Sequence, residues 1–147
     1  MGKIDQGLVG YWIAKHLYGG KLKYFGYRGS GKQVRDALHV DDLCQIIFHE
    51  LLHLNALNGK IYNVGGGRAN AFSLLELTEK VSVVTKSRLN IEPVAQERRA
   101  DVRVYITDNE KIHQETGWRP QKTLDDILSD TYRWMDGHKD RLKKVLG

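Results

Sequence analysis

The sequence predicts an α/β fold, and three observations carry that prediction. Segments with a helical apolar repeat alternate with short runs rich in β-branched and aromatic residues. Glycine and Asn-Gly breaks separate the two kinds of segment. Helix-start signatures stand where helical repeats begin, at Ser73-Leu74-Leu75-Glu76 and at Thr123-Leu124-Asp125-Asp126. Alternation of this kind argues for α/β architecture.

Taken in order, residues 7–18 (GLVGYWIAKHLY) read as a helix with a broad apolar face, stopped by Gly19-Gly20. Lys21 to Phe25 make a short strand, and 26–33 (GYRGSGKQ) a polar glycine-rich loop. Val34 to His39 read as extended. Asp41 and Asp42 sit in the first turn of the next helix, where acids favour the positive end of the dipole. Val40, Leu43, Cys44, Ile47, Leu51 and Leu54 form its apolar stripe, the face expected to pack inward. Asn58-Gly59 turn the chain into a predicted strand, Lys60 to Val64 (KIYNV), which enters Gly65-Gly66-Gly67. The Ser73–Glu76 capping box starts a helix over about 74–86. Ile91 to Val94 and Val102 to Ile106 are predicted strands, and about 109–116 a short helix ending at Gly117. The last helix starts at Thr123, with Leu124, Ile127, Leu128, Thr131 and Met135 on one face; Gly137 weakens its continuation.

Composition excludes several classes. The 147 residues are 41% hydrophobic and 28% charged with two prolines, which suits a globular domain rather than a disordered, collagenous or disulfide-stapled chain. No apolar run approaches the ~20 residues of a membrane-spanning helix. Met1-Gly2-Lys3-Ile4-Asp5 lacks the apolar core of a secretory signal. The single Cys44 excludes an intramolecular disulfide framework and a CxxC metal site, and points to the reducing cytoplasm. Net charge is +5, from 23 basic and 18 acidic residues. That balance favours an anionic ligand without demanding nucleic acid. The terminal cluster Lys139, Arg141, Lys143 and Lys144 reads as a solvated helix face. No linker, repeat or low-complexity tract divides residues 1–147, which are read as one unit.

Three short motifs are tempting and are set aside. His49-Glu50-Leu51-Leu52-His53 is an HExxH, the zinc-peptidase spacing. Its histidines fall opposite the apolar stripe, and Ala56 and Gly59 stand where the extended motif wants glycine and histidine. Gly26 to Gln33 fits GxxxxGK, but Gln33 replaces the magnesium-binding Ser or Thr and an extended segment follows. Arg28, Lys32 and the loop amides still suit the lining of an anionic pocket. Tyr11-Trp-Ile-Ala-Lys15 is a YxxxK with only ten residues before it, too few for a nucleotide-binding fingerprint.

Five segments in order carry a broader likeness: Lys3-Ile-Asp-Gln-Gly7; Gly31-Lys-Gln-Val-Arg-Asp-Ala-Leu-His-Val-Asp-Asp-Leu43; Gly59-Lys-Ile-Tyr-Asn-Val-Gly-Gly-Gly-Arg68; Arg98-Arg-Ala-Asp101 with Tyr105; and Gly117-Trp-Arg-Pro120. The chain resembles the C-terminal, substrate-binding portion of the NAD-dependent nucleotide-sugar epimerases and dehydratases, the extended short-chain dehydrogenase/reductase family. DQG together with GKQVRD resembles most the CDP-paratose 2-epimerase (CDP-tyvelose epimerase) group within it. The family's N-terminal Rossmann half, with its glycine fingerprint and catalytic Tyr and Lys, finds no counterpart here.

The resemblance implies a nucleotide-sugar ligand with a lean to cytosine, held by the nucleoside diphosphate. It implies a phosphate- or ribose-binding role for Arg35, a diphosphate contact for Arg98, a ribose or loop-ordering role for Asp101, and nucleotide contacts for Tyr105, Tyr24 and Phe25. Arginine suits diphosphate because its planar fork makes paired, charge-assisted bonds. Asp5 and Gln6 align near the sugar pocket. NAD is implied for the complete enzyme and none is expected for this chain alone, nor catalytic residues, metal, nucleic acid or membrane. The KIYNV strand would lack its sheet, so a partner carrying the Rossmann half, or self-association, is expected. Two other readings stay open. One is a non-enzymatic domain of the same fold that binds an anion or a protein; the other is a zinc hydrolase using His49, Glu50 and His53.

Overall fold

The structure, a computed structural model, describes residues 7–96 and 102–146. In chain order its elements are α1 (Leu8–Tyr18), β1 (Leu22–Phe25), β2 (Val34–Asp36), α2 (Val40–Leu52), α3 (Leu54–Leu57), β3 (Ala71–Ser73), α4 (Leu74–Thr85), β4 (Ile91–Val94), α5 (Glu110–Thr116), α6 (Leu124–Gly137) and α7 (Lys139–Leu146), with 3₁₀ turns at Tyr27–Gly29 and Arg68–Asn70. The chain is mixed α/β, as predicted. It divides into two compact units that interleave along the sequence, which is why no linker marks them. Among the described residues, the first unit comprises 7–34, 72–96, 102–103 and 128–146, and the second 35–71 and 104–127.

In the first unit, α1 buries Trp12, Ile13, Ala14 and His16 and packs against α4, whose Leu77 and Val81 are fully buried. The capping box forms as read. Ser73 Oγ accepts from the Glu76 amide at 3.2 Å, and Glu76 Oε2 accepts from the Ser73 amide at 2.7 Å. The Ser73 amide, and then the Ser73 hydroxyl, which also reaches Oε2 at 2.7 Å, hold the Glu76 carboxyl below its ordinary range. β1 pairs in parallel with β4, Leu22 opposite Ile91 and Phe25 opposite Val94. The pleat turns Leu22 and Tyr24 into the core and leaves Lys23 outside, paired with Glu92 at 3.0 Å. Trp12 Nε1 and the Tyr24 hydroxyl both donate to Thr78 Oγ1, at 2.9 and 2.6 Å, and Thr78 donates to the Leu74 carbonyl at 2.8 Å. One hydroxyl thus ties α1, β1 and α4 with its hydrogen-bonding capacity used. α7 is a separate helix beyond Gly137, and its basic side chains are exposed, as expected of a solvated face.

The fold departs from the sequence-based expectation in three places, mostly in the second unit. α2 forms, capped by His39 Nδ1, which accepts the Asp41 amide at 3.0 Å. The helix buries only Asp42 and Ile46. The apolar stripe faces out instead of in: Val40 is 63% exposed, Ile47 46% and Leu51 56%. Periodicity locates an apolar face; it does not decide what covers it. Residues 60–64 are not a strand. A strand needs a neighbour for its backbone groups, and here side chains hold the segment to α5. Lys60 Nζ and the Tyr62 hydroxyl each reach Glu115 Oε2 at 2.7 Å, and Lys111 Nζ reaches the Ile61 carbonyl at 2.9 Å. The Glu115 contact helps push the Tyr62 phenol up to about 12, after the larger effect of desolvation. Val102–Ile106 reduces to an isolated bridge at Val104.

His16 makes one pH dependence legible. Its Nδ1 donates to the Trp12 carbonyl at 2.8 Å, while Nε2 is buried with no hydrogen-bond partner among the described residues. Burial pushes the imidazole below its ordinary value of 6.5, against a smaller opposing effect of the Trp12 bond. The unfolded chain therefore binds this proton more readily. The contribution is complete above pH ~6.5 and fades as pH falls below it toward the lowered folded value. Urea unfolding of the wild type is expected to lose stability on acidification below about pH 6.5 that His16→Leu does not lose. Parallel pH profiles for the two proteins would remove His16 as the cause.

Candidate functional site

The polar loop 26–33 leaves the carboxyl end of β1 and is closely held. The Gly26 amide bonds the Val94 and Gln96 carbonyls at 3.2 and 3.1 Å, and the Gln33 side-chain amide donates to the Phe25 carbonyl. From the other side, Leu74 and Leu75 amides bond the carbonyls of Gln33 and Gly31 at 3.1 and 3.0 Å. This arrangement presents exposed Arg28 and Lys32. The chain then enters β2, not a helix, so the loop does not have the geometry of a P-loop. Tyr24 gives its ring to the core and its hydroxyl to Thr78. Desolvation is the main reason its phenol titrates above the ordinary value. The Tyr24 side chain is thus a core and tethering group rather than one presented at the surface. Phe25 is half-buried at the strand's end.

In the second unit, Arg35 lies half-buried on β2 and Tyr105 is 55% exposed. Between them in sequence stands a turn at Gly65–Gly67 built by two residues that the sequence reading passed over. Asp36 Oδ2 accepts the Gly67 amide at 2.8 Å. Asn109 closes on Gly65 twice, its Oδ1 accepting the amide at 3.1 Å and its Nδ2 donating to the carbonyl at 2.8 Å. Gly66 lies so near the Ala37 carbonyl that a Cβ would come within 2.0 Å of the oxygen. The Gly65 and Gly67 amides are spent on protein side chains, so this glycine run does not fit a dinucleotide phosphate. The same unit has an open polar hollow of about 440 Å³, lined among others by Asn70, His113, Arg119 and Lys122, and by none of the predicted site residues.

The predicted residues fall in separate places: Tyr24 and Phe25 in the first unit, Arg35 and Tyr105 in the second. Arg98 and Asp101, like Asp5 and Gln6, lie outside the described residues. The other two set-aside motifs, YxxxK and HExxH, sit on helices. Lys15 Nζ is 5.5 Å from the Tyr11 ring centroid. His49 and His53 stack at 4.2 Å, with His53 Nδ1 bonded to the His49 carbonyl. No group of three or more His, Cys, Asp or Glu able to hold a metal occurs among the described residues.

Comparison with known proteins decides the family. The profile of the GDP-mannose 4,6 dehydratase family matches residues 11–131. The chain belongs to this family. It is 34% identical to the CDP-paratose 2-epimerase of Salmonella typhi over 88% of this chain and 39% of that protein. Its fold is similar to a UDP-glucose 4-epimerase from Thermotoga maritima solved with UDP-glucose, at a TM-score of 0.73 and 28% identity over 90% of this chain and 40% of that one. A dTDP-glucose 4,6-dehydratase from Streptomyces venezuelae, solved with NAD and TYD bound, gives 0.74 at 29% identity, over 92% of this chain and 40% of that one. The chain thus spans about two fifths of these relatives, and it is an epimerase/dehydratase-like domain of the family. None of its described helices is long and apolar enough to cross a membrane.

The Asn109 clasp is testable through stability. Asn109→Ala strips two bonds from Gly65 and is expected to cost about 1–3 kcal/mol. Gly66→Ala, which drives a methyl into the Ala37 carbonyl, is expected to cost about the same or more. Urea denaturation midpoints measure both, and unchanged midpoints would mean that this turn does not organise the unit.

Proposed function

We propose that the chain is the nucleotide-sugar-binding portion of an NAD-dependent sugar-nucleotide epimerase, with a CDP-sugar as its ligand. The observation that carries this reading is the position of loop 26–33. It stands at the carboxyl end of a parallel strand pair and exposes Arg28 and Lys32 there. Ligands of open α/β sheets bind outside the carboxyl ends of their strands, and two cations at such an end suit a diphosphate. The likeness to a CDP-paratose 2-epimerase supplies the cytosine lean.

In this reading Arg35, Arg98 and Asp101 hold the diphosphate and ribose, with Tyr105, Tyr24 and Phe25 near the nucleoside. NAD, bound by the Rossmann half, supplies oxidation of the sugar and hydride return. The contribution of this chain is binding energy from the part of the substrate remote from the reacting carbon, which a complete enzyme uses to position that carbon. In this reading the catalytic Tyr and Lys belong to the Rossmann half, so the chain alone turns nothing over. The partner that completes it covers the exposed α2 stripe and supplies a strand neighbour for residues 60–64; in its absence copies of the chain associate through that face. The protein works in the cytoplasm.

A ¹⁵N–¹H correlation spectrum titrated with CDP, with inorganic phosphate as control, tests the reading. Saturable, CDP-specific shifts are expected, and Arg35→Ala is expected to weaken CDP about 10- to 100-fold, the worth of a charge-assisted bond. Indifference to CDP would favour a non-enzymatic domain that binds another anion or a protein. Epimerisation by the chain and NAD alone would overturn the assigned division of labour. For the uncovered face, sedimentation of the wild type is expected to show self-association that Ile47→Asp with Leu51→Asp reduces while helical circular dichroism persists. Equal association of both proteins would clear the α2 stripe of that role.

A further inference from the structure

We propose that Tyr27 is a nucleobase-stacking residue, a role that rests on the nucleotide-binding reading above and gives that site a specific platform. The first observation is backbone strain. Gly26, Tyr27, Arg28 and Gly29 have φ of 73°, 44°, 54° and 74° in succession. Glycine adopts such angles freely, but a tyrosine and an arginine crowd their own Cβ against the chain. Asparagine or glycine would fit these two positions more easily. Strain of this kind survives only where the surroundings over-determine it, and it clusters at ligand clamps.

The surroundings here do over-determine it. The Gly26 amide is fixed to the carboxyl end of β4 through the Val94 and Gln96 carbonyls. The Gly29 amide returns to the Gly26 carbonyl at 2.7 Å, and Ser30 Oγ donates to the Tyr27 carbonyl at 2.7 Å. Gly29 is pressed so closely on β4 that a Cβ there would lie 2.5 Å from Pro93 Cβ. The ring itself is braced, with the Arg103 guanidinium carbon 5.3 Å from its centroid.

The ring is not part of the core. Tyr24, two strand positions before Gly26, is a core tyrosine with its hydroxyl bonded to Thr78. Tyr27 is only half-buried. It is an aromatic side chain on a tightly bonded turn at the carboxyl end of the β1–β4 pair, next in sequence to exposed Arg28, with Arg103 against its ring and exposed Lys32 on the same loop. An aromatic platform beside cations is the general means of binding a base and its phosphates together, since every base has a face to stack.

Calorimetric titration of the full chain with CDP and with inorganic pyrophosphate tests the assignment. Tyr27→Asn suits the left-handed backbone, so its thermal midpoint is expected to match or exceed the wild type's. Its CDP affinity is expected to fall about 10-fold, the typical loss of one stacked base. Its pyrophosphate affinity is expected to stay unchanged, and Tyr27→Phe is expected to keep full CDP affinity. If Tyr27→Asn binds CDP as the wild type does, the stacking role is overturned while the nucleotide reading stands. Equal losses for CDP and pyrophosphate, or a Tyr27→Phe loss as large as that of Tyr27→Asn, also overturn it. A wild type that ignores CDP overturns the underlying reading and this assignment with it.

Discussion

The carboxylate of Asp42 is the constraint on which the second unit depends. The side chain is fully buried, and a buried charge is tolerated only when hydrogen bonds replace its water. Two backbone amides do so: Gln121 donates to Oδ1 at 3.1 Å and Lys122 to Oδ2 at 3.0 Å. That pair of bonds fixes the 119–123 segment against the start of α2. Asn70 Nδ2 takes the Lys122 carbonyl at 2.8 Å, so the same residue is gripped through both its amide and its carbonyl. Thr123 follows at once and caps α6 reciprocally with Asp126. The start of α6 is therefore set by one acid on a helix far away in sequence.

That acid shows how reading residues in their local context can fall short. Asp41 and Asp42 stand together at a helix start, and dipole stabilisation accounts for both. Only the fold reveals that one is exposed and ordinary while the other organises a loop about eighty residues on. Devices whose partners lie within four residues were legible: the Ser73–Glu76 box, the Thr123 start, the stops at Gly19 and Gly117. The inward face of α6 was legible too, since Leu124, Ile127, Leu128 and Met135 are all buried. Features that depend on distant partners were not. Among the described residues, the KIYNV run has strand composition but no strand paired with it, and the α2 stripe has helical period but stays exposed. Asp36 and Asn109 gave no signal beyond an Arg-Asp pair and an Asn before a helix. The family likeness was readable because it rests on residue order rather than on contacts.

The two glycine-rich stretches look alike in sequence and serve opposite ends. Gly65–Gly67 uses the absence of side chains to bring backbone against backbone, and its Gly65 and Gly67 amides are consumed internally. Loop 26–33 turns its glycines to the flanks and places large side chains, Tyr27 and Arg28, at the centre of the strained turn. The first is a hinge of packing; the second presents chemistry. Counting glycines cannot tell them apart, whereas asking where each amide hydrogen goes does so directly.

Residues 61–64 carry a further consequence. Lys60, Tyr62, the Ile61 carbonyl and Gly65 are all tethered to side chains of 109–115, yet among the described residues the amides of 61–64 donate to no backbone carbonyl. Spatial order and hydrogen-exchange protection usually rise together, and this segment is expected to separate them: side chains define its position, while amides without a backbone acceptor are expected to exchange fast, leaving it well placed but unprotected.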